Sequence, residues 1–437
     1  MENRDLLCEN LSVSSDGVLL FAGYDTVSLA KKYKTPLYLM DECRIRERCR
    51  TYKKALFDAF GEKGQALYAS KAASFKRLYE IMREEGMGID VVSSGEIYTA
   101  LKANFPMEKS YFHSNNKTDE DIYYAIDCGV GYFVVDNEEE LFAIDRIASE
   151  KSHIQKVLLR ITPGIDPHTY AAIATGKVDS KFGSAIETGQ AEAITKTALS
   201  LKNIKLCGYH CHVGSQVFES DVYIATARVM LKFISDIGKS LGFFPEELDI
   251  GGGYGVRYVS EQPKIDIYSS ILTLGDFMKK EAARLGIELP LISLEPGRSI
   301  VADAGLTLYT VGTVKRIPEY KNYVSVDGGM TDNIRFALYG APYTVLPSSK
   351  MNEKRDMQAS VVGRCCESGD IIQENVMLPS SIKRGDLIAT LTTGAYHYSM
   401  ASNYNRIGKP ALVMLSSDGD YVAVRRQTLE DISAQDE

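Results

Sequence analysis

At 437 residues the chain exceeds what a single hydrophobic core usually fills, so two domains are expected. Hydrophobic residues make up 45% and charged residues 25%, the balance of a globular chain and not of a disordered one. A formal net charge of −8 argues against nucleic acid as the main partner, because phosphate backbones need a positive surface, but it leaves room for a local basic pocket. The opening MENRDLLCENLSVSSDG is acidic and polar where a secretory leader would carry basic residues and an apolar run, and about 18 uncharged apolar residues never occur together. The expectation is a cytoplasmic protein without a membrane partner. Its eight cysteines contain no pair of CxxC units, so neither a disulfide framework nor a structural metal site is expected, only reduced thiols that are mostly packed.

In chain order, residues 1–35 hold DGVLLFAG (16–23), a strand expected to complete a later β-domain. From 36 to 298 short apolar runs alternate with longer stretches of helical period. The candidate strands are PLYLMD (36–41), ALYASK (66–71), GIDVVSS (88–94), SYFHS (110–114), GYFVVD (131–136), KVLLRI (156–161), LCGYHCHV (206–213), ELDIGG (247–252) and LISLEPG (291–297). Between them, segments such as 42–60 and 221–242 space their apolar residues for helices. This alternation predicts a parallel α/β fold, in its commonest closed form a (β/α)8 TIM-like barrel. From 299 to 437 the runs LTLYTVGTVKRI (306–317), NYVSVDGG (322–329), ASVVGRCC (359–366), DLIATLT (386–392), PALVMLSS (410–417) and DYVAVRR (420–426) are separated by turns alone, which predicts a C-terminal antiparallel β-barrel domain.

Four elements fall at the C-terminal ends of predicted barrel strands, where such folds keep their working residues. Lys71 closes ALYASK; a desolvated lysine there would be a nucleophilic amine, although the residue equally fits one that snorkels to solvent. Gly251, Gly252 and Gly253 follow a strand and fit either a tight turn or a cradle of N–H groups for an anion. Glu295 and Arg298 flank a stiff Pro-Gly turn and fit a structural ion pair as well as a site. His210 and His212, if both are in a strand, share a face, which suits metal chelation or packing beside a ring; no further ligand is evident nearby. Taken as a set, an amine, a flat imidazole, an anion cradle and a carboxylate on one rim are what pyridoxal phosphate requires.

These segments, with DVVSSGE (90–96), HSNNK (113–117), PGIDPHTY (163–170), TGKVDSKFG (175–183), HCHVGSQ (210–216), DIGGGYG (249–255), LEPGRSIV (294–301), VDGGMTDNIRFALYG (326–340), CESGD (366–370) and GAYHYSMASNYN (394–405), run in order along nearly the whole chain. On them the chain resembles the barrel-type, alanine-racemase-like pyridoxal-phosphate decarboxylases. The resemblance implies that Lys71 binds the cofactor aldehyde, that Glu295 pairs with the pyridine nitrogen and that His212 stacks on the ring. It puts Ser215, Gly251, Gly252, Gly253, Gly297 and Arg298 on the phosphate side. Arg298, Arg335 and Tyr339 are implied to hold a distal substrate carboxylate and Glu367 a distal ammonium. Tyr396 is implied to lie near both cofactor and substrate. Cys366 is implied to be the proton donor, reaching the active site from the partner subunit of a homodimer.

The implied reaction is loss of one carboxylate from meso-diaminopimelate to give lysine, with a decarboxylase of ornithine, arginine, a carboxylated polyamine or an acylated amino acid as the alternative. Two departures from the family pattern stand out: Ser70 and Ala73 around the lysine where YAVKAN is usual, and Phe336 where proline usually follows the substrate arginine. Neither replaces a group with a chemical role. Cys365 precedes Cys366 directly; if the run is extended the two face opposite ways, and the match to CESGD selects Cys366. A racemase of this barrel type is disfavoured because an arginine would face the ring nitrogen there. A non-catalytic cofactor carrier is disfavoured by the C-terminal strands.

Overall fold

The computed structural model describes residues 6–165 and 181–437, so parts of PGIDPHTY and TGKVDSKFG lie outside the described residues. Two units separate: one of Arg48–Gly255 and Ile265–Ser299, the other of the chain up to Glu47, Val256–Lys264 and Ile300–Glu437.

Eight parallel strands close into a barrel in the first unit: β1 (Gly64–Ala69), β2 (Gly88–Val91), β3 (Ser110–Phe112), β4 (Tyr132–Val135), β5 (Gln155–Thr162), β6 (Ile204–His210), β7 (Glu247–Asp249) and β8 (Leu291–Leu294). Each pairs with the next, and β8 returns to β1. The strands are largely buried, which is why they read as apolar runs instead of alternating ones. Helices follow β1 through β7, several started by side-chain caps: Ser93 accepts from Glu96 N–H, Asn137 from Glu140 N–H, and Thr118 and Asp121 form a capping box. Inside the barrel Tyr111 of β3 reaches Glu247 of β7 at 3.0 Å, and Gln65 of β1 donates to the same carboxylate at 2.9 Å, a polar layer that ties opposite walls together.

Every sequence-predicted barrel strand is present except PLYLMD. Leu37–Asp41 belongs to the second unit, where it runs antiparallel to Gly305–Leu308 and parallel to Ala411–Leu415. It carries the same apolar signature because it is buried along its whole length in a different sheet. In that unit the strand order is Ile371–Leu378, Met357–Val362, Lys321–Val326, Gly305–Ile317, Leu37–Asp41, Ala411–Ser416, Gly419–Val424, with Leu387–Leu391 also pairing Gly305–Ile317. The pairings are antiparallel except two, Lys321–Val326 with Met357–Val362 and Leu37–Asp41 with Ala411–Ser416. The expected antiparallel domain is thus a largely antiparallel but mixed sheet: the entry of Leu37–Asp41 from the N-terminal part of the chain makes one parallel pairing, and Lys321–Val326 with Met357–Val362 makes the other. Leu11–Val13, Leu19–Phe21 and Tyr24–Asp25 form a separate three-stranded sheet in the same unit. Among the described residues no helix is long and apolar enough to cross a membrane.

Lys117 of HSNNK has a structural place. Its Nζ donates to Glu140 Oε1 at 2.6 Å and to the Val134 carbonyl at 2.8 Å, with the two side chains 0% and 3% exposed. Removing one charge from such a pair strands the other without solvent, whereas removing both does not. Glu140→Leu should therefore destabilise the barrel by about 3–5 kcal/mol, and Lys117→Met with Glu140→Leu should recover most of that loss. Thermal unfolding of the three proteins checks this, and equal midpoints for the single and double variants would contradict it.

Candidate active site

The strand ends of the barrel gather a chain of ionisable groups. β2 places Asp90, β6 ends on His210, His113 directly follows β3, and Glu295 directly follows β8. Asp90 Oδ2 lies 3.0 Å from Lys71 Nζ, and Asp90 Oδ1 lies 3.8 Å from His113 Nε2. His113 Nε2 is 2.6 Å from Glu295 Oε1, while His210 Nε2 is 3.1 Å from Glu295 Oε2. The two imidazoles meet edge to face at 4.8 Å. The amine at 71 and the carboxylate at 295 are therefore linked through Asp90 and His113, on one rim of one barrel.

Burial raises the cost of a charge on Glu295, but the adjacent His113 and His210, by charge and by hydrogen bonds, hold its carboxyl well below the usual range. Asp249, at the end of β7, goes the other way: burial and then the neighbouring Glu295 push it well above the ordinary value. Its Oδ1 accepts the Gly251 N–H at 2.7 Å. Two carboxyls of one site are thus shifted in opposite directions, Glu295 down and Asp249 up, the pattern that assigns distinct roles to paired acids. Burial lowers His210 to about 4, so its ring is neutral at neutral pH. His212 is likewise lowered, by burial first and then by Lys71 and Arg160.

Several details differ from the sequence reading. β1 ends at Ala69, and Lys71 lies in the turn Ser70–Ala72 with its side chain 43% exposed, so a half-exposed ion pair replaces the desolvated lysine. β6 ends at His210, so His212 stands beyond the strand and the two histidines diverge: His212 Nδ1 accepts from Gly252 N–H at 3.3 Å. The described residues close enough to share a metal ion are instead His113, His210 and Glu295, which already contact one another. In the glycine run the first two N–H groups are taken by Asp249 and His212. The run serves close approach: a Cβ on Gly252 would stand 2.0 Å from the Glu295 carbonyl oxygen, and one on Gly253 2.1 Å from that of Gly214. Beside it Arg298, buried, donates through Nε and Nη2 to Ser215 Oγ at 3.2 and 3.0 Å. Gly297 packs against Ala69, where a Cβ would stand 2.9 Å away.

Sequence reasoning does not single out Asp90, His113, His210 as the partner of Glu295, Asp249 or the partly buried Arg160. Asp90 and His113 open two of the motifs already noted, and the rule that placed Lys71 and Glu295, residues at or just after a barrel strand's C-terminal end, would have found them.

The second unit holds the remaining expected residues. Arg335 is buried at the start of the short helix Arg335–Tyr339, its guanidinium carbon 5.2 Å from the ring centres of both Tyr339 and Tyr396. Tyr396 adopts φ +63°, unusual for an aromatic residue and typical of functional turns. Cys366 and Glu367 sit exposed in the bend after Met357–Val362. Cys365 is less exposed, and burial together with Asp370 pushes its thiol up to about 11. The segment is a bend and not a strand, so local environment, not alternation, separates the cysteines.

The family model for the pyridoxal binding domain of pyridoxal-dependent decarboxylases matches residues 42–302. A diaminopimelate decarboxylase of Bacillus subtilis is 44% identical over 416 residues, covering 95% of this chain and 94% of the relative. One from Staphylococcus aureus is 44% identical over 97% of this chain and 98% of its own length. A crystal structure of diaminopimelate decarboxylase from M. jannaschii in complex with L-lysine superposes with a TM-score of 0.89 at 33% identity, covering 98% of each chain.

The neutral His210 ties stability to pH. Folded, it binds its proton only below about 4, whereas unfolded it does so below its ordinary value near 6.5. Between those values the unfolded chain holds more protons, so this group's contribution to stability falls as pH drops, by about 3 kcal/mol across the window. In His210→Asn the loss of stability from pH 6.5 to 4 should be shallower by that amount, read from denaturation midpoints at several pH values. Parallel curves for parent and variant would contradict the neutral buried imidazole.

Proposed function

The chain belongs to the pyridoxal-dependent decarboxylases, and on that footing we propose that it removes one carboxyl group of meso-diaminopimelate to give L-lysine and carbon dioxide. The observation that carries the reaction class is the ionised, buried Glu295 between two imidazoles on the barrel rim. The substrate follows from relatives of nearly equal length that bear this name.

The residues fit the cofactor: an amine at 71, a buried anion at 295, and the Arg298 guanidinium with the Ser215 hydroxyl beside a glycine run that brings backbone close. When bound, pyridoxal phosphate supplies an aldehyde for the substrate amine and a cationic ring that accepts the electron pair left by carbon dioxide. Glu295 would present its negative charge to the ring nitrogen and favour a proton on that atom. Lys71 would hold the aldehyde, and Asp90, 3.0 Å from its Nζ, would pair with its ammonium when the amine is free. His212 offers a neutral imidazole to the ring face. Ser215, Arg298, Gly251, Gly252, Gly253 and Gly297 serve the phosphate end.

Arg335 and Tyr339, with Arg298, bind the substrate's distal carboxylate, Glu367 binds its distal ammonium, and Tyr396 steadies both substrate and cofactor. Binding the far end orients the carboxylate that leaves. Cys366 Sγ supplies a proton to the carbon that has lost carbon dioxide; the working form is a homodimer in which the partner's Cys366 and the partner's Glu367 complete each site. The reading places the enzyme in the cytoplasm, where its eight free cysteines stay reduced.

An unmatched buried arginine or glutamate is costly, so substrates lacking the distal carboxylate should be rejected. Carbon dioxide release with added pyridoxal phosphate should favour meso-diaminopimelate over ornithine and arginine by at least on the order of 100-fold. Faster release from ornithine would overturn the substrate and keep the reaction class; no release from any amino acid would overturn both.

A further inference from the structure

Two side chains hold consecutive peptides of the bend that carries Cys366. The N–H of Cys365 donates to Asp370 Oδ2 at 2.7 Å, and the N–H of Cys366 donates to Asn405 Oδ1 at 2.8 Å. Asp370 is 3% exposed, and its Oδ1 accepts the N–H of Met330 at 2.6 Å, so one carboxylate ties this bend to the turn that leads into Arg335. The closure is tight. Gly363 N–H donates to the Asp370 carbonyl and Arg364 N–H to that of Gly328, each at 3.0 Å. A Cβ on Gly363 would stand 2.2 Å from the Asp370 carboxylate.

Asn405 is a different kind of anchor. Its side chain is exposed, and its backbone is in the left-handed region at φ +52°, a conformation that asparagine tolerates better than most residues. Packing therefore does not explain the side chain; its recorded contact is the Cys366 N–H. Fixing the N–H of both 365 and 366 fixes the peptide plane between them. That plane fixes the position of the Cys366 Cα, leaving only the backbone φ and the side-chain χ1 of Cys366 to aim the thiol.

We propose that Asn405 is a positioning residue for Cys366, acting through the Cys366 N–H while Asp370 holds the preceding peptide. The inference rests on the reading of Cys366 as proton donor. A proton donor works only within hydrogen-bond reach of its acceptor, and a displacement near 1 Å costs on the order of 100-fold in rate.

The test uses the full-length enzyme loaded with pyridoxal phosphate and four proteins: the parent, Cys366→Ala, Asn405→Gly and Asn405→Asp. Glycine keeps the left-handed backbone unstrained and lacks the acceptor; aspartate keeps an acceptor oxygen. Asn405→Gly should lose kcat by on the order of 10- to 100-fold with KM and cofactor affinity within about threefold of the parent. Its solvent deuterium isotope effect on kcat should rise, because proton delivery becomes slower, and Asn405→Asp should restore most of the rate. If Cys366→Ala is crippled but Asn405→Gly keeps the parent kcat and isotope effect, Asn405 does not position the donor. Loss of kcat, KM and cofactor affinity together in Asn405→Gly, without a larger isotope effect, would mark a merely structural role and also overturn the inference. If Cys366→Ala turns over like the parent, it is the reading of Cys366 that fails, and the inference falls with it.

Discussion

A carboxylate buried on a barrel rim is stable as an anion only if something pays for its lost water. Here two imidazoles do so, one at each oxygen of Glu295. Around that anion the neighbours are set: burial and then the charge of Glu295 push Asp249 above its ordinary value, His210 stays neutral because it is buried, and Asp90 turns one oxygen toward His113 and the other toward Lys71. Replacing Glu295 by a cation would reverse the preference at the ring nitrogen and weaken the electron sink, while which bond breaks is set by how the substrate is oriented.

The chemistry divides along the chain. Residues proposed to serve the cofactor come from strand ends of the barrel, where parallel strands deliver side chains from widely separated parts of the sequence to one rim. Residues proposed to serve substrate selection and protonation come, Arg298 apart, from the β-sheet unit, from the short helix Arg335–Tyr339 and from turns whose N–H groups donate to Asp370 and Asn405. A rigid rim and a pinned loop are two solutions to one requirement, that reacting groups be placed before substrate arrives.

Much of this was legible in the sequence. The parallel strands declare themselves as apolar runs separated by helical periods, with Lys71, Glu295 and Arg298 at or near their ends, while Ser215 and the expected roles of all four follow from the family resemblance. Partnerships were harder. That His113 and His210 share Glu295 depends on β3, β6 and β8 converging around one closed barrel, and no local pattern carries that information. For Lys71 the sequence offers both a desolvated and a solvent-reaching amine, and β1, ending two residues before it, leaves the half-exposed one. Leu37–Asp41 was assigned to the wrong unit because burial on both faces looks alike in any sheet. The histidine pair was misread for a related reason: the strand stops at His210, and period-two logic ends with it.

The most direct measurement is on Glu295→Gln, which keeps shape and hydrogen-bonding capacity but removes the charge. If the anion sustains the electron sink, the variant should still take up pyridoxal phosphate, seen in its absorption spectrum, while carbon dioxide release from meso-diaminopimelate falls by on the order of 100-fold or more. Release at the parent rate by a variant that binds the cofactor normally would contradict the account at its root.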